Sequence, residues 1–115
     1  MKKQELDEML KLVGIPVNEG VTSMENSCKY PRIVYWDYVL QDESASGEAY
    51  VTNVTYQISH FSKKPRDKSL IQLMQIMRKN GLFPQIYVEY VKEDRVFHSY
   101  FSIEVTEEIK ESDAI

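Results

Sequence analysis

Apolar positions at the start of the chain repeat with a helical period. Leu6, Met9, Leu10 and Val13 fall at i, i+3, i+4 and i+7, which marks one face of a helix over residues 3–13. Gly14 stops it, with Pro16 just beyond. A helix this short is marginal by itself, so its apolar face must dock on another element. Residues 15–29 show no sustained period and are expected to be a connecting loop. Pro31 then opens Arg32–Val39, a run of β-branched and aromatic residues whose proline sits at the first position, where a missing donor is tolerated. Gln41–Glu48 is polar and reads as a flexible loop longer than a two-residue turn requires. From Tyr50 to Phe61 the chain alternates strictly. Val54, Tyr56 and Ile58 are set on one face of a strand, and Asn53, Thr55, Gln57 and Ser59 on the other. Residues 32–61 are therefore expected to form one long hairpin.

The period then returns to that of a helix. The turn Ser62–Asp67 leads into residues 66–79, where Leu70, Leu73, Met74 and Met77 form a stripe and Asn80-Gly81 ends it. Asp67 at the start and Arg78-Lys79 at the end suit the helix dipole. Two further strands, 86–91 and 95–105, join around Lys92-Glu93-Asp94, and Phe97, Phe101, Ile103 and Val105 share a face of the second. The order is α-β-β-α-β-β. It predicts an α+β fold, an antiparallel sheet of about four strands with two helices packed on one face. Residues 1–105 are expected to be a single domain, and 106–115 an acidic tail that frays.

Composition narrows the class without naming a function. At 115 residues there is room for one core, and 43% hydrophobic with 28% charged residues is ordinary for a folded domain. Eight Tyr, four Phe and one Trp are generous for this length and suit a sheet. A formal charge of −4 argues against a general nucleic-acid binder, and the longest basic run is Lys63-Lys64-Pro65-Arg66. No apolar run approaches the ~20 residues of a membrane-spanning helix, and the first residues lack a signal-peptide core. A cytoplasmic protein, or a part of something assembled there, is expected.

Candidate chemistry is sparse. Cys28 is the single cysteine, so neither an internal disulfide nor a cysteine zinc cluster is available. His60 and His98 both fall on expected strands, and no His-x-His or His-Glu-x-x-His spacing accompanies them. A Cys28–histidine pair would need the fold to bring the two together. Gly14, Gly20, Gly47 and Gly81 form no phosphate-cradling run, and no Gly-x-Ser-x-Gly elbow is present. No catalytic, cofactor or metal residue is assigned. The strand aromatics Trp36, Tyr38, Tyr87 and Tyr90 remain, either as cross-strand packing pairs or as interface anchors.

Several stretches together resemble a family. They are the helix closing on Leu12-Val-Gly-Ile-Pro16, the lead-in Tyr30-Pro-Arg-Ile-Val-Tyr35, and Tyr56-Gln-Ile-Ser-His-Phe-Ser62 running through Arg66-Asp67 into a helix. The last is the apolar strand Val96–Val105. In order and length, residues 4–105 resemble the small tail-completion or tail-terminator proteins of long-tailed bacteriophages, which join head to tail. The loop before the second long strand departs from that pattern in being short and polar. The resemblance implies a non-enzymatic virion assembly protein without cofactors. Such a protein forms a homohexameric ring on the tail tube, stops its polymerisation and presents a surface to the head connector. Its expected partners are its own copies, the major tail protein and the head-connector protein. DNA only passes through the lumen, and no membrane is involved. Its place would be the virion tail, assembled in the bacterial host cytoplasm. The tip residues Asp42, Glu43, Gly47 and Glu48 are expected at the lumen or the tube, their carboxylates repelling phosphate. The competing expectations are a small cytoplasmic protein-binding or regulatory module, and a hydrolase using Cys28 with a histidine.

Overall fold

The computed structural model describes residues 1–46 and 49–114. Two α-helices and five strands follow in the order α1 (Lys3–Lys11), β1 (Val17–Glu19), β2 (Arg32–Ser46), β3 (Ala49–Ser62), α2 (Lys68–Lys79), β4 (Tyr87–Val91) and β5 (Val96–Glu107). The sheet order is β1-β2-β3-β5-β4. The class is α+β, as expected, but the sheet is five-stranded and mixed rather than four-stranded and antiparallel. The added strand lies in the segment expected to be a loop. Val17–Glu19 pairs in parallel with Ile33–Tyr35, clamped by bonds from the Ile33 N–H to the Pro16 carbonyl and from the Gly20 N–H to the Tyr35 carbonyl, 2.8 Å each. A strand of three residues is too short to show a period, which is why the pattern of positions hides it.

The second correction concerns the first hairpin. The polar stretch after Leu40 continues β2 to Ser46 instead of forming a loop, with Asp42 opposite Thr52 and Glu43 opposite Val51. A bulge between Asp37 and Val39 inserts Tyr38, and the alternation resumes beyond it. At the far end of β5, Glu107 pairs with Thr52. Glu43–Ser46 and Ala49–Val51 therefore run past the third strand as a two-stranded arm, and the molecule is 51 Å long and 23 Å thick.

Both helices cover one face of the sheet. Leu6, Met9 and Leu10 of α1 and Leu73 and Met77 of α2 pack on Ile33, Tyr35, Val54, Tyr56, Ile58, Phe101, Ile103 and Val105. These are the alternate positions that the strand periods select. Burying a large aliphatic or aromatic side chain contributes about 1.5–3 kcal/mol, so this one layer dominates stability. The helix ends are built locally. The Asp67 carboxylate accepts the Ser69 N–H at 3.0 Å as the N-cap of α2. At the other end, bonds from Leu82 N–H to the Met77 carbonyl and from Gly81 N–H to the Arg78 carbonyl close a Schellman turn. That turn needs the positive φ of 73° at Gly81. Beyond Val105, the residues of the expected tail continue β5 to Glu107, and Glu111–Asp113 form one 3₁₀ turn. Ile109 between them packs against the core.

Candidate assembly surface

On the helix-covered face, a polar chain of contacts is spent on structure. His60 Nε2 lies 2.7 Å from Ser69 Oγ, and Ser69 Oγ donates to Asp67 Oδ2 at 2.6 Å. With the single hydroxyl proton committed to the carboxylate, His60 must donate through Nε2. A histidine that donates to serine is not its base, so this Asp-Ser-His set is arranged the wrong way for nucleophilic catalysis. His60 is completely buried, and its Nδ1 has no hydrogen-bond partner. Desolvation pushes its pKa down to about 4, against the smaller opposing pull of Asp67. For Asp67, burial works to raise the pKa, but the bonds from Ser69 outweigh it and hold the carboxyl below the ordinary value.

A second polar cluster sits between α1, β1 and β2. Lys3 Nζ bridges Asp7 at 3.1 Å and Glu19 at 2.8 Å. The Tyr35 hydroxyl donates to Asp7, and the Tyr56 hydroxyl donates to Glu107 at 2.9 Å. Burial pushes both phenols well above their ordinary pKa, and the accepting carboxylates push the same way. These bonds tie the helix and the last strand to the centre of the sheet. Among the described residues, no group of three or more His, Cys, Asp or Glu side chains could hold a metal ion.

Among the described residues, no helix lies over the opposite face. Here the pairing register lines up Arg32 on β2, Phe61 on β3, His98 on β5 and Glu89 on β4. The Arg32 guanidinium lies 5.0 Å from the Phe61 ring centre, and Phe61 stacks on His98 at 4.6 Å. His98 is fixed from both sides, 2.9 Å from Glu89 Oε1 and 2.7 Å from Ser59 Oγ. Tyr100 leans on His98 at 4.8 Å and stacks with Tyr87 at 5.6 Å. Next to it, a shallow groove of about 360 Å³ is lined by Tyr38, Gln57, Tyr87, Tyr100 and Ser102.

Trp36, Tyr38 and Tyr87 are on this open face. Trp36 is half-buried, while Tyr38 and Tyr87 are about half exposed, and the Tyr38 hydroxyl is 2.8 Å from Ser102 Oγ. Tyr90 points to the other side of the sheet, where it packs on Phe97 at 5.0 Å. The four aromatics thus do not form one patch. Glu43 in the arm and Asp42 at its base are exposed, and Asp42 accepts the Thr52 hydroxyl at 2.6 Å. Gly47 and Glu48 lie outside the described residues. Cys28 is exposed, with its Sγ 3.9 Å from Ser27 Oγ. Among the described residues, no hydrogen bond links it to either histidine.

The pattern of positions did not single out Phe61, His98 and Tyr100 as one stack, because only the β3–β5 register aligns them. Val39, Leu40 and Tyr50 were also missed as surface groups. They are 42%, 59% and 57% exposed along the free edge of β2 and the base of the arm. Leu40 and Tyr50 lie on the helix side beyond the reach of the helices, and Val39 lies on the open face, neither of which a local pattern reveals. Fold and surface together define a small α+β module with a covered face, an open aromatic face and a projecting arm. Compared with protein-family models and with curated proteins, the chain gives no match.

Proposed function

We propose that this chain is a non-enzymatic assembly protein of a long-tailed bacteriophage. It forms a ring on the end of the tail tube, stops tail polymerisation and joins the tail to the head connector, while DNA passes through the lumen. The observation that carries the reading is the arm. Two strands leave the core with Val39, Leu40 and Tyr50 exposed beside them, an apolar surface that a single copy leaves open to water. Free strand edges and long hairpins are ready contact surfaces between identical subunits, and a heterologous contact closes into a ring when its rotation allows. The resemblance of residues 4–105 to tail-completion proteins supplies the particular assembly.

Negative-stain microscopy of purified tail tubes mixed with the protein tests the proposal. Density is expected at one end only, together with an arrest of tube growth. Unchanged tube growth with bare ends would end it. Genes for a connector and a major tail protein on either side of this one are expected as well. The runner-up is a protein-binding module, favoured by the groove beside Tyr38, Tyr87 and Tyr100. It predicts a defined low-order complex with a host protein instead of capped tubes.

A further inference from the structure

Between Arg32 and Lys63 the chain has no lysine or arginine, and it has four carboxylates, Asp37, Asp42, Glu43 and Glu48. Cations gather on both flanks of that span instead. Lys29, Arg32, Lys63, Lys64, Arg66 and Lys68 come together because Arg32 pairs with Phe61 at the base of the β2–β3 hairpin. The result is a basic collar at the base of the β2–β3 hairpin and an acidic arm, carrying Asp42 and Glu43, toward its far end. From Arg32 to Ser44 the strand advances twelve residues, or about 40 Å at roughly 3.3 Å each.

Among the described residues, no ion pair ties up either end: the pairs are Lys3–Asp7, Lys3–Glu19 and His98–Glu89. Asp67 is the sole carboxylate between Lys63 and Lys68, and it is turned inward to Ser69. The collar also has an apolar centre. The Tyr30 ring lies 4.4 Å from the Arg32 guanidinium and 4.6 Å from Lys63 Nζ. The arm matches it in kind, with Tyr50 exposed beside Asp42 and Glu43.

We infer that the acidic arm docks on the basic collar of a second copy of this chain. Charge complementarity selects the occupant, because the arm and the collar carry opposite sign and each also presents an apolar group. The contact is heterologous. Each copy that uses its arm on a neighbour leaves its own collar free for another, so the contact propagates until it closes. This inference deepens the ring reading and rests on it for the closed form. It places Asp42 and Glu43 in the contact between subunits rather than at the lumen.

Zero-length carbodiimide cross-linking of the purified protein, read by mass spectrometry, is the direct test. Bonds from Asp42 or Glu43 to Lys63 or Lys64 are expected. The length of the hairpin puts these groups out of reach within one copy, so every such bond joins two copies. Charge reversal supplies the second arm of the test. D42K/E43K and K63E/K64E should each weaken self-association by at least about tenfold at low salt, as seen by sedimentation. An equimolar mixture of the two variants should restore it, because every arm then again meets a collar of opposite sign. Melting curves of both variants close to that of the parent exclude misfolding as the cause.

Absence of arm–collar cross-links, or reversed variants that associate like the parent, overturns the inference. Rings that cap tubes without these cross-links would leave the tail reading standing and remove this contact. Cross-links and rescue without binding to tubes would do the reverse. If K63E/K64E instead abolishes binding to a duplex oligonucleotide while association persists, the collar is a phosphate surface and the inference fails.

Discussion

The two ends of the β2–β3 hairpin contain the same kinds of residue and behave differently. At the base and middle, Ile33, Val54 and Ile58 are completely buried under α1 and α2. Toward the arm, Val39, Leu40 and Tyr50 are about half exposed. The strands pair in both regions, with a bulge at Tyr38 between them, so much of the difference lies in what covers the strands. Hydrophobic stabilisation follows area removed from water, and only the covered end loses that area in a single copy. Ordering the arm costs entropy, and its exposed apolar groups offset less of that cost than the buried base does. A partner surface is what would offset it.

Substitutions at the two ends should therefore separate stability from association. The largest effect is expected at Phe101, buried in the layer between the sheet and the helices. Phe101→Ala should destabilise by about 3–5 kcal/mol, seen as a lower urea midpoint. That is a large part of the ~5–15 kcal/mol available to a domain of this size. A loss below 1 kcal/mol would mean that the helices do not cap this layer.

Acid should act through the same covered face. His60 titrates near 6.5 when unfolded and at about 4 when folded, because burial disfavours its charge. The unfolded chain thus binds the extra proton first, and stability rises with pH across this window. The contribution is complete above pH 6.5 and is lost as pH falls from 6.5 towards 4, roughly 3 kcal/mol over the range. Protonation forces a proton onto Nδ1, which has no acceptor. His60→Gln should flatten the profile between pH 4 and 6.5, and denaturant titration at several pH values measures it. An unchanged slope in the variant would assign the acid sensitivity to other groups. Asp67, held below its ordinary pKa, adds a further loss only at lower pH, as its carboxylate becomes protonated.

A smaller effect is expected at the helix start. Asp67→Ala removes the cap of α2 and the acceptor of the Ser69 hydroxyl, and should cost about 1–2 kcal/mol. Asp67→Asn keeps an acceptor and should recover much of it. Least of all, Leu40→Ser with Tyr50→Ser should leave the melting curve within about 0.5 kcal/mol of the parent. The same double change should weaken self-association measured by sedimentation. Destabilisation comparable to that of Phe101→Ala would show that the arm belongs to the core, and the contrast between the two ends would disappear.

Much of the fold was legible in order along the chain. The stripe of α2 and its two stops at Asp67 and Gly81 are local signals, and both caps form where those residues stand. The face assignments of Val54, Tyr56, Ile58, Phe101, Ile103 and Val105 followed from a period of two, which a strand imposes whatever its neighbours are. The extent of β2 was not legible, because Gln41–Ser46 has the polar composition of a loop. Its extended conformation comes from pairing with β3, as Asp42 opposite Thr52 shows. β1 was hidden for a related reason, since a three-residue parallel strand exists only through its bonds to β2.

By itself, then, the sequence determined the helices, the alternating strands and the sign of charge along each stretch, because these depend on neighbours a few residues apart. It also contained the cation-free span between Arg32 and Lys63 in plain view. Only the tertiary structure decided what that span means. Register across the sheet gathered Arg32, Phe61 and His98 into one stack, sent Tyr90 to the other face and set Asp42 and Glu43 far along the β2–β3 hairpin from Arg32. Such placements depend on which strands pair and where the helices stop. Those are contacts between residues far apart in the chain, and no local period encodes them.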